Sequence, residues 1–259
     1  MLALHGYTGG CRDMEALAEH LQRPVVGLDL PGHGGTAADP DGAGPSFAQV
    51  IAELADLCGP AGSVSETLRG LGAGGPPVLF GYSMGGRLAL ALALTAPERF
   101  SALVLVGATA GLADADARAA RRLADAQLAA RVESIGAAAF AAEWAQHPLI
   151  RSQRRAPQPH RDAMAARRAA NDARGLAASL RGCGVGQMTP LHGALPSLAL
   201  PVLLLTGAED TRYAAEAAAM CALLPDARHV PIAHAGHAAH LEAPASTAEA
   251  IERFLRPAL

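Results

Sequence analysis

The segment Gly-Tyr-Ser-Met-Gly at residues 81–85 places Ser83 between two glycines, and Arg87 follows one helical turn later. A serine with this glycine spacing is typical of a nucleophile on a sharp turn from a strand into a helix. Near neutral pH a serine hydroxyl is a weak nucleophile and a weak base, so it needs an imidazole that accepts its proton. The chemistry of Ser83 therefore depends on a histidine and a carboxylate elsewhere in the chain.

A carboxylate and a histidine follow Ser83 in the chain order that is expected for a serine triad on this kind of turn. Asp210 comes just after an apolar run, and His237 lies near the end of the chain. The imidazole would take the hydroxyl proton, and the carboxylate would fix the imidazole tautomer and stabilise its protonated form. We predict a catalytic triad of Ser83, Asp210 and His237.

Neighbouring residues of the same types are alternatives. Glu209 adjoins Asp210, whereas His234 and His240 flank His237. The Gly-x-x-Asp spacing favours Asp210 as the acid, and the glycine directly before His237 favours that histidine as the base.

Backbone amides would complete the site. The N–H groups of Met84 and of Tyr7, which follows His5 and a glycine, are expected to form an oxyanion hole for negative charge that develops on the substrate. We expect His5, Asp29 and His33 to order their own loops.

Short apolar runs alternate with helical patterns along most of the chain. Buried strands separated by helices predict the α/β class, a mostly parallel sheet flanked by helices. Ser83 would then lie where one of these strands gives way to a helix. The strand-like runs lie at residues 2–4, 25–28, 78–80, 103–106, 202–205 and 227–231.

One long interval, between residues 106 and 202, contains no strand-like run. Its Ala- and Arg-rich sequence predicts an inserted helical cap at residues 111–185, on a core formed by residues 1–110 and 186–259. The predicted cap holds 12 arginines and 7 acidic residues, whereas the remainder holds 9 arginines and 17 acidic residues. A basic cap on an acidic core suggests an anionic substrate beneath the cap. Alternatively, these arginines keep an exposed helical surface soluble.

The bulk composition excludes several classes of protein. The net charge of −3 argues against a nucleic-acid partner, and the four cysteines are far apart and have no metal-binding spacing. The sequence predicts neither a metal site nor a cofactor. No signal-type segment opens the chain, and no apolar run is long enough to cross a bilayer. We therefore expect a cytoplasmic protein, a monomer or homodimer, that acts on a small molecule and not at a membrane.

With these motifs the chain resembles the α/β-hydrolase superfamily over nearly its whole length. Within that superfamily it is most similar to the family of 2-succinyl-6-hydroxy-2,4-cyclohexadiene-1-carboxylate synthases of menaquinone biosynthesis. Arg87, the cap arginines, Trp144 and residues 180–188 distinguish this family from hydrolases in general. The resembling segments lie at residues 4–10, 29–35, 81–87, 121–125, 143–149, 167–172, 180–188, 207–213 and 235–244.

The resemblance implies a lyase and not a hydrolase. The family eliminates pyruvate from 2-succinyl-5-enolpyruvyl-6-hydroxy-3-cyclohexene-1-carboxylate. Ser83, activated by His237, would abstract a ring proton while the oxyanion hole holds the developing charge. The several carboxylates of such a substrate would require several guanidiniums, each able to bind in bidentate fashion.

The resemblance also implies the residues that bind substrate. Arg87 matches the family arginine one turn after the serine, and Tyr82 and Trp144 match aromatic positions of the pocket. For the cap arginines the choice stays open within two pairs, Arg121 or Arg122 and Arg167 or Arg168.

Other interpretations of these residues remain. Arg87 could pair with a nearby acid, and Trp144 could simply pack inside the cap. A carboxylesterase or a carbon–carbon bond hydrolase that uses Ser83 as nucleophile is the alternative enzyme, and a non-catalytic binding module is a third possibility. Family members also have strands before the first strand of this chain. Either those edge strands are absent from the protein or the start of the chain was assigned too late.

Overall fold

The computed structural model describes residues 1–36, 44–72 and 74–256. Within them, six parallel strands form one sheet, in the order β2-β1-β3-β4-β5-β6. The strands are β1 (Leu2–Leu4), β2 (Val26–Leu28), β3 (Val78–Tyr82), β4 (Ala102–Val106), β5 (Val202–Gly207) and β6 (Ala227–Ile232). Each predicted run lies on a strand, and the α/β class is confirmed.

The strands read as continuous apolar runs because helices cover both faces of the sheet. Every residue of β3, β4 and β5 is buried. Successive side chains alternate between two core layers, so that Leu79 and Leu103 lie in one layer and Phe80 and Val104 in the other. This packing fixes the carboxyl ends of the strands, where the predicted site residues follow.

Ten α-helices accompany the sheet in the described part of the chain. They are α1 (Glu15–Ala18), α2 (Phe47–Leu57), α3 (Ser63–Gly70), α4 (Met84–Thr95), α5 (Ala115–Trp144), α6 (Gln158–Ala169), α7 (Ala173–Cys183), α8 (Thr211–Cys221), α9 (Ala239–Glu242) and α10 (Pro244–Leu255). None of the described helices is both long and apolar enough to cross a membrane.

The interval between β4 and β5 contains α5, the 3-10 helix Arg151–Arg155, α6 and α7. The run of α5 is interrupted at Gly136, whose φ of 78° and ψ of 160° are not helical. Helices α5 and α7 share a buried cluster of their own, which includes Val132, Phe140 and Leu176. A separate small core of this kind supports the proposal that residues 111–185 form a cap.

The sheet ends at β2 on one side. Strand β1 pairs with β2 and with β3, and no described residue forms a strand beyond β2. In the described residues the sheet thus departs from the family that the chain resembles, whose members have strands before β1.

Candidate active site

Ser83 lies on the sharp turn between β3 and α4. Its φ of 52° and ψ of −105° are unusual for a residue with a side chain. The two glycines of the motif make this turn possible, because a Cβ atom at Gly81 would lie 2.5 Å from the Gly85 carbonyl oxygen and one at Gly85 would lie 2.3 Å from the Leu4 carbonyl oxygen. The spacing Gly-x-Ser-x-Gly is thus the steric requirement of a turn that raises Ser83 above the sheet.

The structure brings the three residues of the predicted triad into contact. The Nδ1 atom of His237 lies 2.7 Å from Oδ2 of Asp210, and its Nε2 atom lies 3.0 Å from Oγ of Ser83. Asp210 follows β5, and its other oxygen accepts a hydrogen bond from the Tyr213 amide at the start of α8. His237 and Asp210 are both buried. This geometry suits transfer of the Ser83 proton to His237.

The alternative acid and histidines have other surroundings. Glu209 pairs with Arg155 at 2.7 Å on the surface. His240 is fully buried against the Phe80 ring, and neither of its ring nitrogens has a hydrogen-bond partner among the described residues. Burial lowers the pKa of His240 to about 3, so this imidazole is neutral. Neither residue takes part in the hydrogen bonds around Ser83.

The turn that carries Tyr7 lies beside the Ser83 turn, since the Gly85 amide donates to the His5 carbonyl oxygen at 3.0 Å. Neither the Tyr7 nor the Met84 amide donates a hydrogen bond to another described residue. Both N–H groups are therefore available for a substrate oxygen.

His5, His33 and Asp29 have the loop-ordering contacts that the sequence predicted. The Leu30 amide donates to Nε2 of His5, and the Thr8 amide donates to Nε2 of His33. Asp29 accepts hydrogen bonds from the amides of Cys11 and Gly35.

Arg87 is a buried cation. Its Nη1 atom donates to the Cys183 carbonyl oxygen at 2.9 Å, and it forms no ion pair with any described residue. Burial lowers the pKa of this guanidinium, while Tyr213 and Asp125 oppose that shift. The ion pair considered as an alternative for Arg87 does not form within the part of the chain that the structure describes; a neutral carbonyl group of the cap takes its place.

The members of the first arginine pair have different contacts. Arg121 donates to Asp125 at 2.8 Å, and its positive charge acts on the pKa values of Arg87 and Tyr213. Arg122 is exposed and donates to the Gly186 carbonyl oxygen at 3.0 Å. Of the two, Arg121 has its charge near the site.

The members of the second arginine pair, Arg167 and Arg168, also have different contacts. Arg167 pairs with Asp13 at 2.7 Å. Arg168 is buried and forms no ion pair with any described residue. Its positive charge favours lower pKa values for Tyr82 and His240. Burial lowers the pKa of Arg168. Arg168 is thus the second buried cation without a paired acid.

The two predicted aromatic residues lie on different sides of the site. The Tyr82 ring lies 5.4 Å from the ring of His237, and its hydroxyl accepts a hydrogen bond from Nε2 of Gln153. Trp144 packs edge-on against Tyr7, with 5.7 Å between the ring centroids, and it stacks on His147 at 4.8 Å. Trp144 therefore both packs within the cap and contacts the residue that was predicted for the oxyanion hole.

Three residues near the site were not predicted. Tyr213 places its ring 4.3 Å from that of His237, Gln153 holds the Tyr82 hydroxyl, and Asp125 holds Arg121. The i,i+4 spacing of Arg121 and Asp125 was a usable signal for that pair. Gln153 had none, because it lies 71 residues from Tyr82 in the sequence.

All four cysteines are free. Among the described residues, no cluster of three or more His, Cys, Asp or Glu side chains is placed to hold a metal ion.

Comparison with known proteins decides the family. The profile of the alpha/beta hydrolase family matches residues 1–250. The chain belongs to the alpha/beta hydrolase family. This alpha/beta hydrolase family member is 34% identical over 260 residues to the 2-succinyl-6-hydroxy-2,4-cyclohexadiene-1-carboxylate synthase of Salmonella newport (strain SL254), covering 99% of this chain and 93% of that protein. The predicted resemblance is confirmed, and the chain is an enzyme.

Two solved structures are similar in fold to this alpha/beta hydrolase family member over nearly its whole length. The structure of MenH from S. aureus has a TM-score of 0.85 and 28% identity, and the match covers 98% of this chain and 92% of that one. A malate-bound thermophilic esterase from Thermogutta terrifontis has a TM-score of 0.79 and 28% identity, covering 98% and 88%. The same fold is therefore found both in a protein named MenH and in a protein named an esterase.

Proposed function

We propose that this enzyme is a lyase that eliminates pyruvate from 2-succinyl-5-enolpyruvyl-6-hydroxy-3-cyclohexene-1-carboxylate to give 2-succinyl-6-hydroxy-2,4-cyclohexadiene-1-carboxylate. The observation that carries the proposal is a pair of buried guanidiniums, Arg87 and Arg168, neither of which has an ion-pair partner among the described residues. A buried cation is costly without a negative partner. A substrate with several carboxylates supplies those charges, whereas a neutral ester does not. The similarity to the Salmonella synthase supports the same reaction.

The positions of the two guanidiniums support the proposal that they hold the substrate around the triad. The charge of Arg87 acts on the pKa of Tyr213, and the charge of Arg168 acts on the pKa of Tyr82. Both tyrosine rings contact the His237 ring. Carboxylates bound to Arg87 and Arg168 would therefore orient the substrate ring between them, above Ser83. Arg121 would contribute from the cap.

The change in double bonds identifies the proton that is lost. A 3-cyclohexene becomes a 2,4-cyclohexadiene when the substituent at ring carbon 5 leaves, so the proton leaves carbon 2, next to the ketone of the succinyl group. His237 takes the hydroxyl proton of Ser83, and Ser83 Oγ takes the carbon-bound proton. The electron pair of that C–H bond enters the ring, and the C–O bond to the enolpyruvyl group breaks. The departing enolate takes the proton that His237 holds and becomes pyruvate, which returns His237 to its neutral form.

The remaining groups of the site stabilise charge. Asp210 stabilises protonated His237, with 2.7 Å between their hydrogen-bonded atoms. The amides of Tyr7 and Met84 would hold the ketone oxygen while negative charge develops there during proton abstraction. Tyr82 and Trp144 would provide apolar walls.

Incubation of the enzyme with the succinyl-enolpyruvyl-cyclohexene substrate tests the proposal. We expect release of one pyruvate per substrate, dependent on Ser83. The absence of pyruvate, together with rapid cleavage of nitrophenyl esters, would overturn it.

Ester hydrolysis with Ser83 as nucleophile is the second candidate, and the similarity to the thermophilic esterase favours it. The two candidates differ at the serine, because only the hydrolase forms an acyl-enzyme. Mass spectrometry of the acid-quenched protein during turnover would detect an acyl group on Ser83 in the second case.

The setting of the reaction is part of the proposal. We infer a cytoplasmic enzyme with an anionic small-molecule substrate, acting as a monomer or homodimer. Sedimentation equilibrium would measure the oligomeric state.

A further inference from the structure

Glu242 is a buried carboxylate close to the triad that the proposed reaction does not use. It is the last residue of α9, five residues after His237, and its side chain is fully buried. A carboxylate in such a place is costly unless hydrogen bonds and opposite charge compensate it. The groups around Glu242 therefore indicate what it holds in place.

The carboxylate of Glu242 binds the backbone on both sides of His237. Its Oε2 atom accepts a hydrogen bond from the Gly236 amide at 2.7 Å, and its Oε1 atom accepts one from the Ala238 amide at 3.2 Å. The Glu242 amide in turn donates to the Ala238 carbonyl oxygen at 2.9 Å. The residue proposed as the base is thus held between two amides that a single carboxylate fixes.

The same carboxylate also contacts the cap. Ser152, in the 3-10 helix of the cap, donates its hydroxyl hydrogen to Oε1 of Glu242 at 2.8 Å. The Nη1 atom of Arg155, in the same 3-10 helix, lies 3.8 Å from Oε2 of Glu242. The cap fits closely against the loop, because a Cβ atom at Gly236 would lie 2.5 Å from Oγ of Ser152. Glu242 therefore joins the loop of His237 to the cap.

We propose that Glu242 is a positioning residue of the triad. By holding the amides on both sides of His237, it keeps the imidazole in the orientation that Asp210 and Ser83 require, and through Ser152 it makes that orientation depend on the cap. The three hydrogen bonds that Glu242 accepts among the described residues come from two amides and one hydroxyl, so it acts through the backbone of His237. The inference rests on the proposed role of His237 as base, and not on which reaction follows.

Proton NMR of the full-length enzyme tests the positioning. The hydrogen between Nδ1 of His237 and Asp210 should give a downfield resonance in the wild type, which His237→Ala identifies by its loss. Glu242→Ala should broaden or remove this resonance, because the two amides lose their common acceptor. Glu242→Gln keeps an acceptor for the Gly236 amide and should retain the resonance at least in part.

Glu252→Ala is the matched control. Glu252 also accepts a hydrogen bond from a backbone amide, that of Gln22 at 3.1 Å, and it pairs with Arg23 at 2.9 Å. This variant should lose stability in urea and keep the downfield resonance. An unchanged resonance in Glu242→Ala would overturn the proposal. So would a wild type without any resonance that depends on His237, since there would be no fixed imidazole to position.

Steady-state kinetics separate positioning from substrate binding. With the proposed substrate, Glu242→Ala should lower kcat by roughly 10- to 100-fold, because a displacement of about 1 Å at a reacting group has an effect of this size. KM should change less than about twofold, since no interaction with bound substrate is removed. A raised KM with an unchanged kcat would assign Glu242 to substrate binding and contradict the proposal. If even the wild type releases no pyruvate, the proposed reaction fails, whereas the NMR result still decides the positioning.

The Ser152→Ala variant tests the dependence on the cap. It leaves the carboxylate and both amide contacts in place, so it stays informative if Glu242→Ala does not fold. We expect kcat to fall about two- to tenfold, the effect of one lost hydrogen bond to a charged group whose other bonds remain. Ser197→Ala, which removes a hydroxyl that donates to a carbonyl oxygen in another 3-10 helix, should leave kcat unchanged. Equal kcat values for Ser152→Ala and the wild type would refute the link between the cap and His237.

Discussion

Arg121 and Asp125 lie one turn apart on α5, with Nε of Arg121 2.8 Å from Oδ1 of Asp125. The carboxylate side chain is 3% exposed, whereas that of Arg121 is 43% exposed. The second carboxylate oxygen, Oδ2, has no hydrogen-bond partner among the described residues. A buried anion thus holds a half-exposed cation whose charge acts on the pKa values of Arg87 and Tyr213, and the anion itself is incompletely satisfied.

Substitution Asp125→Asn should separate substrate binding from stability. Burial raises the pKa of Asp125, so the ionised carboxylate costs stability above its unfolded pKa, and that cost disappears as the pH falls. We expect KM to rise about two- to fivefold because Arg121 is held less well, with a free energy of unfolding at pH 7 that is unchanged or higher. Steady-state kinetics and urea unfolding measure both quantities. Asp116→Asn, exposed on the same helix, should change neither; a large loss of stability in Asp125→Asn would contradict the expectation.

Arg87 and Arg122 provide a matched test of the proposed substrate charge. Both donate to a backbone carbonyl oxygen, but only Arg87 is buried beside Tyr213. Arg87→Ala should lower kcat/KM for pyruvate release by roughly 10- to 100-fold, since a charge-assisted hydrogen bond contributes about 1.5–3 kcal/mol. Arg122→Ala should change it less than about twofold. Equal losses in the two variants would show that cap attachment, and not substrate charge, accounts for the effect. Thermal unfolding of both variants serves as the control for folding.

Substitutions of the adjacent acids Asp210 and Glu209 should have very different effects on activity. Asp210 contacts His237, whereas Glu209 pairs with Arg155 on the surface. Asp210→Asn should reduce kcat by roughly 10³- to 10⁴-fold, because the amide supports the wrong imidazole tautomer. Glu209→Gln should retain nearly full activity in the same pyruvate assay. Should Glu209→Gln prove the more damaging change, Asp210 is not the acid of the triad.

The buried His240 predicts a specific loss of stability in acid. Its pKa is lowered to about 3 by burial and by the nearby charges of His237 and Arg168. An imidazole with a depressed folded-state pKa contributes its full stability above the unfolded pKa of about 6.5, and that stability is lost as the pH falls toward 3. Between pH 7 and pH 4.5 the wild type should therefore lose about 2–3 kcal/mol through this residue.

Urea unfolding at the two pH values measures that loss. His240→Leu should lose less stability than the wild type between pH 7 and pH 4.5, whatever its stability at pH 7. His20→Leu, at an exposed position, is the matched control and should follow the wild type. Parallel pH profiles for His240→Leu and the wild type would show that His240 is not the group responsible.

The strands and the residues proposed for the triad could be predicted because their signals are local. The two glycines around Ser83, the strand before Asp210 and the glycine before His237 are each recognisable within a short segment, although His237 lies 154 residues from Ser83. The turn allows few alternatives, since a side chain at Gly81 or Gly85 would collide with backbone oxygens. For this reason the motif predicts that Ser83 lies on the sharp turn between a strand and a helix.

The arginine pairs could not be resolved from sequence, because neighbours on a helix point about 100° apart and only packing fixes the rotation of the helix. In the structure, Arg167 pairs with Asp13 and Arg168 is left unpaired, a division that depends on a contact across 154 residues. The partner of Arg87 was equally inaccessible, because the Cys183 carbonyl oxygen lies 96 residues away and any residue type provides one.

The contact between Arg87 and the Cys183 carbonyl oxygen limits which caps from related proteins could replace the cap of this enzyme. The helix that begins beside Ser83 and the last helix of the cap share one guanidinium, that of Arg87. A cap taken from another member of the fold would have to end its last helix with a carbonyl oxygen at the same place. Otherwise the transplanted enzyme would carry Arg87, which is proposed to bind a substrate carboxylate, in a new orientation. The same Nη1 atom of Arg87 also lies 3.8 Å from Sδ of Met188, five residues beyond Cys183. Exchange of caps between relatives should therefore succeed only when the last cap helix is transferred together with the residues up to Met188.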